Sequence, residues 1–424
     1  MNAHRRVRSA LLIVLLLCAV GLAQQQAPPR ITDLKPTIIL ISVDGYRYDY
    51  LDKYPTPNLQ QLAASGVRAE SMQPSVPTYT FPNHYTLVTG LYPAHHGIVG
   101  NEFYDPSFNA TFSYKDASAT EGRWWSGEPI WVTAHRQGQK TASMFWPGSS
   151  ATVAGLRPDH WETFDAKVTP DQRVDKILGW LDLPARERPA FLALYFEQVD
   201  HAGHEYGPDS PQVRDAVAQV DAAIGRLVDG MRQRGIERQV NIIVVSDHGM
   251  ANTPHVIFID DYIDPRTVRI VNRGPFFTLW PRQDENDAIF AKLQKVPHAR
   301  AYRRENVPAR WHFSGNPRIA PIFLLADEGW VITDREYAAT HKLNAGGHGY
   351  DNNLTSMQAT FIAYGQAFKP GSKLPAFPNI DVYDLMAYLL HLKPAKNDGT
   401  LKVFEPVLVK ATDPHRSPPI NKNP

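Results

Sequence analysis

The chain has 424 residues, enough for one large α/β domain or for two to three ordinary domains. Its 44 lysines and arginines nearly balance its 43 aspartates and glutamates, and no basic block stands out. This balance argues against a long nucleic-acid partner. A small phosphate-bearing substrate stays open, because a metal site can supply positive charge locally.

The N-terminus predicts a secretory signal peptide over residues 1–23. Three arginines precede an apolar run of about 11 residues at 10–20, which is shorter than the roughly 20 residues needed to span a bilayer. We therefore expect cleavage after Ala23 and an exported chain, periplasmic or secreted, without a permanent membrane span. An uncleaved membrane anchor is the alternative. The only cysteine, Cys18, lies in this run, so the mature chain would have no disulfides.

Three apolar, β-branched runs, at 37–43, 191–199 and 240–246, each end before an aspartate: Asp44, Asp200 and Asp247. Runs of this length are typical of parallel strands buried on both faces. Helical patterns lie between them at 58–65, 171–181 and 211–234. This alternation predicts a doubly wound, mostly parallel α/β domain over residues 31–411, with its ligands at the carboxyl ends of the strands.

The pattern changes after the third run. Short strands at 275–280 and 319–325 and a helix at 284–295 predict an inserted α+β subdomain over about 252–344. Beyond it we expect a strand at 360–364 and a helix at 380–392. The proline- and asparagine-rich tail at 412–424 is predicted to be disordered.

Six potential metal ligands fall at predicted strand ends or in glycine-rich loops. They are Asp44, Asp200, His204, Asp247, His248 and His348. Each alone is more often a cap, a turn residue or a structural histidine, but the combination indicates a metal site. Carboxylates and imidazoles are ligands that zinc prefers at catalytic sites. One zinc cannot use all six, whereas two can share them and clamp both the attacking and the leaving oxygen of a phosphoryl transfer.

Thr80 is the candidate nucleophile. It stands at a predicted helix N-cap, with Pro82 early in the helix, so its hydroxyl would face the positive end of the helix dipole. A nearby metal would lower the pKa of the hydroxyl further. Spacing alone leaves two rivals, Thr78 and Thr86, and it also allows a plain capping role for Thr80.

Several of these segments resemble the nucleotide pyrophosphatase/phosphodiesterase family of the alkaline phosphatase superfamily. The matching segments lie at 43–47, 80–93, 96–101, 200–208, 246–250, 346–352 and 393–400. The block at 80–85 (TFPNHY) is highly specific, and the resemblance covers about residues 36–402. It implies an alkaline phosphatase-like fold in a single catalytic domain of the bacterial type.

The resemblance also implies roles for individual residues. It assigns Asp200, His204 and His348 to one zinc, and Asp44, Thr80, Asp247 and His248 to the other. Thr80 would attack phosphorus and form a phospho-threonine intermediate, and two Zn²⁺ per chain are expected.

Three further positions match substrate-binding residues of the family. Asn101 would hydrogen-bond a phosphate oxygen, and Phe81 would pack on a nucleobase. Phe164 falls where relatives often carry a tyrosine on the other face of the base. Tyr79 departs from the pattern, because some relatives have a lysine there near the phosphate.

The resemblance implies hydrolysis of nucleotide phosphodiester or phosphoanhydride bonds, with release of nucleoside 5'-monophosphates. A choline-type glycerophospho- or phospholipid diesterase is the nearest alternative. A phosphomonoesterase and a sulfatase are weaker ones, because the arginine clamp of the first and the modified cysteine or serine signature of the second are not located in the sequence. A non-catalytic zinc-dependent binding protein is the alternative from another class. We expect a small-molecule substrate and a monomer or weak oligomer.

Overall fold

The computed structural model describes residues 28–409. The predicted signal peptide and the predicted disordered tail lie outside these residues. Within residues 28–409, no helix combines the length and the apolar character needed to cross a bilayer.

Twenty strands and eleven α-helices make up the described part of the chain. The strands are β1 (Thr37–Val43), β2 (Val67–Ala69), β3 (Met72–Gln73), β4 (Glu102–Asp105), β5 (Ala110–Ser113), β6 (Thr141–Met144), β7 (His160–Glu162), β8 (Phe191–Phe196), β9 (Val240–Val245), β10 (Ala251–Asn252), β11 (His255–Phe258), β12 (Arg269–Asn272), β13 (Phe276–Trp280), β14 (Ala299–Arg303), β15 (Ile322–Ala326), β16 (Trp330–Thr333), β17 (Gly346–Gly347), β18 (Phe361–Tyr364), β19 (Ser372–Leu374) and β20 (Phe377–Pro378). The helices are α1 (Tyr50–Lys53), α2 (Pro57–Ser65), α3 (Thr80–Thr89), α4 (Pro93–His96), α5 (Ile130–Arg136), α6 (Pro170–Leu181), α7 (Gln198–Tyr206), α8 (Pro211–Gln233), α9 (Asn286–Leu293), α10 (Arg335–Thr340) and α11 (Val382–Leu389).

An eight-stranded sheet forms the centre of the fold, in the order β19-β2-β18-β9-β1-β8-β6-β7. Strand β18 is antiparallel to both of its neighbours, and all other pairs are parallel. The prediction of a doubly wound, mostly parallel α/β domain is therefore confirmed.

The central strand β1 is buried on both faces. Ile38 and Leu40 join one hydrophobic core, and Ile39 and Ile41 join the opposite one, because successive side chains of a strand point to opposite faces. Helices α3, α5 and α11 contribute to the first core, and α2, α6, α7 and α8 contribute to the second. Burial on both faces explains why β1, β8 and β9 read as continuous apolar runs.

The segment between β10 and β17 covers the range predicted for an inserted subdomain. Strands β10 and β17 pair with each other and bring the two ends of this segment together. Inside it, β12, β13, β15 and β14 form an antiparallel sheet with a separate core that includes Phe277 and Leu324. Strands β12 and β14 were not predicted from the sequence. Both are short, half-exposed strands, and such strands lack the long apolar run that identified the buried ones.

Two details of the sequence-based picture are wrong. The run at 191–199 is not a single strand: β8 ends at Phe196, and Asp200 lies in the first turn of α7. Val199 and Ala202 are buried on the inner side of that helix, and an apolar run cannot distinguish a strand from the start of a buried helix. Thr80 is the first residue of α3, and Tyr79 is the N-cap residue.

Candidate active site

The six potential metal ligands converge at the carboxyl edge of the central sheet. Asp44 follows β1, and the adjacent Asp247 and His248 follow β9. Asp200 and His204 lie one turn apart on α7, so both point from the same face of that helix. His348 follows β17 at the end of the inserted segment.

These side chains form two groups, which we call the buried group (Asp44, Asp247 and His248) and the outer group (Asp200, His204 and His348). Within each group, one ligand atom per residue lies within 4.8 Å of the others, so each group could hold a metal ion. The two groups touch, because the imidazole rings of His248 and His348 are stacked with centroids 3.6 Å apart. The partition matches the one implied by the family resemblance.

Backbone carbonyls orient the imidazole rings. Nδ1 of His348 donates to the carbonyl of Thr78 at 2.8 Å, and Nδ1 of His204 donates to the carbonyl of Gly346 at 2.9 Å. A carbonyl only accepts, so in the neutral rings Nε2 carries a lone pair. The two Nε2 atoms are 3.0 Å apart. Two lone pairs at that distance repel each other unless a cation lies beside both. Metal-binding histidines usually donate their other ring N–H to a carbonyl or carboxylate, as His204 and His348 do here.

The aspartates also present unpaired acceptors. Oδ1 of Asp44, Oδ1 of Asp200 and Oδ2 of Asp247 are buried and receive no hydrogen bond from the described residues. A buried carboxylate oxygen without a donor is costly, and a divalent cation removes that cost. Three carboxylates and three imidazoles are a donor set that suits a metal such as zinc.

The electrostatics of the buried group point the same way. Burial and the neighbouring Asp247 and Asp200 carboxylates raise the pKa of Asp44 well above its usual value. Although burial opposes it, the Asp247 carboxylate raises the pKa of His248. Burial and the nearby His248 lower the pKa of His348 well below its usual value. The site therefore favours positive charge beside the carboxylates and a neutral His348 that can act as a ligand.

Among the three candidate threonines, only Thr80 faces the metal ligands. Its Oγ1 lies 3.3 Å from Nε2 of His248. Thr78 is buried, and its hydroxyl bonds the carbonyl of Tyr350 and the amide of Gly349. Thr86 is equally buried, and its hydroxyl bonds Nε2 of His96.

Asn101 lies beside the start of α3. Its Oδ1 accepts a hydrogen bond from the amide of Phe81 at 2.9 Å, which fixes the orientation of the carboxamide. The structure gives the Nδ2 group no acceptor among residues 28–409, so its two hydrogens can serve a ligand. The carboxamide is thus held against the residue that follows Thr80.

Aromatic rings surround Phe81, but Phe164 is not in contact with it. The ring of Phe81 lies 5.4 Å from that of Tyr114 and 6.2 Å from that of Trp125. Phe164 is 49% exposed and packs edge-on against Phe145, with the Tyr195 ring at 6.2 Å. The two residues predicted to pack on the base therefore belong to separate clusters of aromatic rings.

Tyr79, at the position where some relatives have a lysine, offers no charge to a ligand. Its ring is buried and meets His348 edge-on at 5.6 Å. Its hydroxyl donates to the carbonyl of Phe276 in the inserted segment at 3.2 Å. The residue packs beneath the outer group.

Sequence reasoning missed several supporting residues. Tyr195 donates to Oδ2 of Asp44 at 2.6 Å, and Ser246 donates to the carbonyl of His248. Tyr114 lies beside Phe81 and is 41% exposed. Tyr195 sits inside an apolar run and Tyr114 follows a hairpin strand, so neither carries a motif that spacing could reveal. Only Ser246, which directly precedes two ligands, had a signal in the sequence.

A family model described as type I phosphodiesterase/nucleotide pyrophosphatase matches residues 38–351 of this chain. The chain belongs to that family. A bovine member, ectonucleotide pyrophosphatase/phosphodiesterase family member 3, is 39% identical over 393 residues, which are 89% of this chain and 44% of the relative. A Schizosaccharomyces pombe protein named as an uncharacterized pyrophosphatase/phosphodiesterase is 39% identical over 386 residues, 86% of this chain and 79% of that protein.

The animal family members are longer, and this chain spans less than half the length of the bovine one. Among solved structures, murine ectonucleotide pyrophosphatase/phosphodiesterase 5 superposes with a TM-score of 0.84 at 33% identity, covering 88% of this chain and 100% of that one. An inactive threonine-to-alanine variant of the same murine family member, in complex with AMP, matches equally well.

Proposed function

We propose that this family member is a two-zinc phosphodiesterase/nucleotide pyrophosphatase that uses Thr80 as its nucleophile and releases nucleoside 5'-monophosphates. The observation that carries the proposal is the placement of one threonine hydroxyl, 3.3 Å from His248, against two adjoining groups of metal ligands. Family membership and the AMP complex of the murine relative support the nucleotide substrate.

The two ligand groups would hold the zinc ions, the outer group one and the buried group, with Thr80, the other. Bound zinc would activate the hydroxyl for attack and neutralise charge on the phosphate and the leaving oxygen. Two observations support this assignment: carboxylate oxygens that receive no hydrogen bond, and the facing Nε2 atoms of His204 and His348.

In the first step, the Thr80 hydroxyl loses its proton to solvent and Oγ1 forms a bond to the α-phosphorus of a nucleoside triphosphate. The bond from phosphorus to the pyrophosphate oxygen breaks, and pyrophosphate leaves. The threonine then carries a nucleoside phosphodiester. In the second step, water attacks the same phosphorus, the bond to Oγ1 breaks, and Thr80 regains its proton as the nucleoside monophosphate leaves. The placement of Thr80 in the first turn of α3 puts the positive end of that helix near the developing charge.

Asn101 would stabilise the transition state. Its Oδ1 is held by the amide of Phe81, so Nδ2 is directed without reorganisation at a phosphate oxygen bound near Thr80. A preorganised donor aimed at charge that grows during the reaction lowers the barrier, typically by about 3 kcal/mol per donor.

The nucleobase would pack on Phe81 and Tyr114, whose ring centroids lie 5.4 Å apart, and Phe164 would contact its other face. The acidic residue beside these rings, Glu102, is paired with Lys115 at 3.3 Å. A carboxylate that is already paired attracts a cationic choline head group less, which favours the nucleotide over the phospholipid alternative.

Turnover of three nitrophenyl substrates tests the proposal: a nucleotide diester, phosphorylcholine and phosphate. We expect the nucleotide diester to be hydrolysed fastest, and chelation to abolish the reaction. Thr80→Ala should lower kcat at least about 10³-fold, the order seen when a nucleophile is removed. The rival variant Thr86→Ala is the control and should keep kcat within about threefold, although it loses a buried hydrogen bond. Comparable rates on the monoester, or an active Thr80→Ala, would refute the proposal.

Export of the chain remains part of the proposal. It rests on the predicted signal peptide and on the relatives, several of which are named ectoenzymes. N-terminal sequencing of the protein recovered outside the cytoplasm should begin at Gln24. A monomer or weak oligomer is expected and can be checked by sedimentation.

A further inference from the structure

The inserted subdomain grips the segment that carries Asn101. We call residues 94–105 the Asn101 arm. Four side-chain hydrogen bonds reach the arm from the inserted segment: Asn316 Nδ2 to the Ala94 carbonyl (2.7 Å), Arg318 Nη1 to the Gly97 carbonyl (3.0 Å), Asn272 Nδ2 to the Glu102 carbonyl (2.7 Å) and Arg318 Nε to Asp105 Oδ2 (2.7 Å). These bonds bracket Asn101 on both sides in the sequence.

Arg318 makes two of these four hydrogen bonds, and the one to Asp105 is also an ion pair. Its side chain is 10% exposed and Asp105 is 3% exposed, so the ion pair is nearly excluded from water. Nη1 also donates to the carbonyl of Trp124 at 2.6 Å. A Cβ placed on Gly97 would lie 2.7 Å from Nη1, so the close approach of the guanidinium requires glycine there. The planar guanidinium, with five donors, can bridge these acceptors, and a lysine ammonium on a flexible stem cannot reproduce that geometry.

Asn272 fixes the other side of Asn101. Its Nδ2 bonds the carbonyl of Glu102, the next residue along the arm. A Cβ on Gly100 would lie 3.2 Å from the same nitrogen, so the arm also lies close to Asn272 just before Asn101. Asn272 is the last residue of β12 in the inserted sheet. Its backbone amide donates to Oγ1 of Thr278 on β13. The arm is therefore tied to a regular sheet rather than to a loop.

We propose that Arg318 and Asn272 of the inserted subdomain position the Asn101 carboxamide for transition-state stabilisation. This inference rests on the proposed function. Neither residue is assigned a contact with substrate, and both act through the arm. A displacement of the carboxamide by about 1 Å would weaken its bond to the phosphate, and misplacements of that size can cost on the order of 10²-fold in rate.

A double-mutant cycle between Arg318 and Asn101 tests the inference. Arg318→Lys keeps the positive charge but loses the planar set of guanidinium donors. In the wild-type background we expect kcat on the nitrophenyl nucleotide diester to fall about tenfold or more, with KM changed by less than about twofold. In the Asn101→Ala background the same change should cost less than about twofold, because the group that Arg318 positions is absent. Asn272→Ala should behave in the same way.

Arg234→Lys is the matched control. Arg234 is 10% exposed, pairs with Asp182 at 2.6 Å and bonds a backbone carbonyl at 2.9 Å, but it joins α6 and α8 on the other core of the sheet. It should lower the melting temperature much as Arg318→Lys does and leave kcat unchanged. Equal loss of kcat for Arg318→Lys in both backgrounds, or no loss in a fully folded variant, would overturn the inference.

Hydrogen exchange separates failure of this inference from failure of the proposed function. Arg318→Lys should speed amide exchange within residues 94–105, and Arg234→Lys should not. If wild-type protein proves inactive on the diester, faster exchange in the arm would still support the grip and only the proposed function would be refuted. Unchanged exchange in Arg318→Lys would overturn the inference whether or not the enzyme is active.

Discussion

The buried and outer ligand groups differ in how the fold holds them. The buried group follows β1 and β9 in the middle of the sheet, and its three side chains are at most 2% exposed. The outer group combines a helix with the loop after β17, and Asp200 and His204 are 17% and 28% exposed. A group set by two central strands has no freedom to move without breaking the sheet, whereas the outer group can be reached by water.

This difference suggests a division of labour. The buried group adjoins Thr80, so the proposed nucleophile lies on the more rigid side of the site. His348 of the outer group directly follows β17, at the C-terminal end of the inserted segment. A rigid setting suits the proposed attack by Thr80, because catalysis depends on a fixed attacking geometry.

Loss of a ligand should be more damaging in the buried group. Asp247→Asn would release its metal and leave the Asp44 carboxylate buried without a counter-charge, a situation that costs about 3–5 kcal/mol. Asp200→Asn would release the other proposed metal, but water can reach the remaining His204 side chain, which is 28% exposed. We expect each variant to lose one equivalent of zinc and nearly all turnover, with the larger fall in melting temperature for Asp247→Asn.

Metal analysis and thermal unfolding in zinc-containing buffer check this comparison. Glu205→Gln, a change at a half-exposed residue on the same helix as Asp200, is the control and should keep both equivalents. Equal falls in melting temperature for the two ligand variants would show that exposure does not separate the groups.

Chelation should remove the two proposed metal ions at different rates. The outer group is open to water, so its metal should leave first, and the metal of the buried group should leave at least about tenfold more slowly, because it requires local opening of the structure. Zinc release followed with a colorimetric indicator should show two phases of equal amplitude. Asp200→Asn should lack the fast phase, and a single phase in the wild type would contradict the expectation.

The smallest effect is expected from Tyr195→Phe. The variant loses the 2.6 Å hydrogen bond to Asp44 but keeps the ring and its packing. Loss of a hydrogen bond to a metal ligand typically lowers metal affinity about 10–100-fold, so activity should fall at limiting zinc and largely recover at saturating zinc. Phe164→Leu, which changes a neighbouring ring without touching a ligand, should leave the zinc dependence unaltered. A kcat that stays low at saturating zinc would indicate a direct role for Tyr195 in the reaction.

Much of the fold was predictable because burial on both faces leaves a mark in the sequence. The runs that became β1 and β9 were recognisable as strands, and the helices at 57–65, 170–181 and 211–233 differ from their predicted bounds by one residue at most. The strand predicted up to Val199 was wrong, because a buried helix start and a buried strand share the same apolar composition over a few residues. Strands β12 and β14 were missed because half-exposed strands carry no such run.

The convergence of the six potential ligands was likewise predictable, because three aspartates and three histidines beside apolar runs and glycines form a pattern that is difficult to produce by chance. Their division into two groups came from the family resemblance rather than from spacing, and the choice among three threonines was open from the residues alone. The tertiary structure distinguishes these threonines by where their hydroxyls point. The hydroxyls of Thr78 and Thr86 form hydrogen bonds inside the core, and the hydroxyl of Thr80 lies beside His248.

The sequence by itself determined which chemistry this protein can perform, because residue types and local apolar periodicity are properties of the chain. Only the tertiary structure decided how that chemistry is supported. The tyrosine on Asp44, the carbonyls that orient the histidines and the grip of Arg318 on the Asn101 arm join residues that are far apart in sequence. Contacts of that kind depend on which surfaces meet when the chain packs, and no local pattern encodes them.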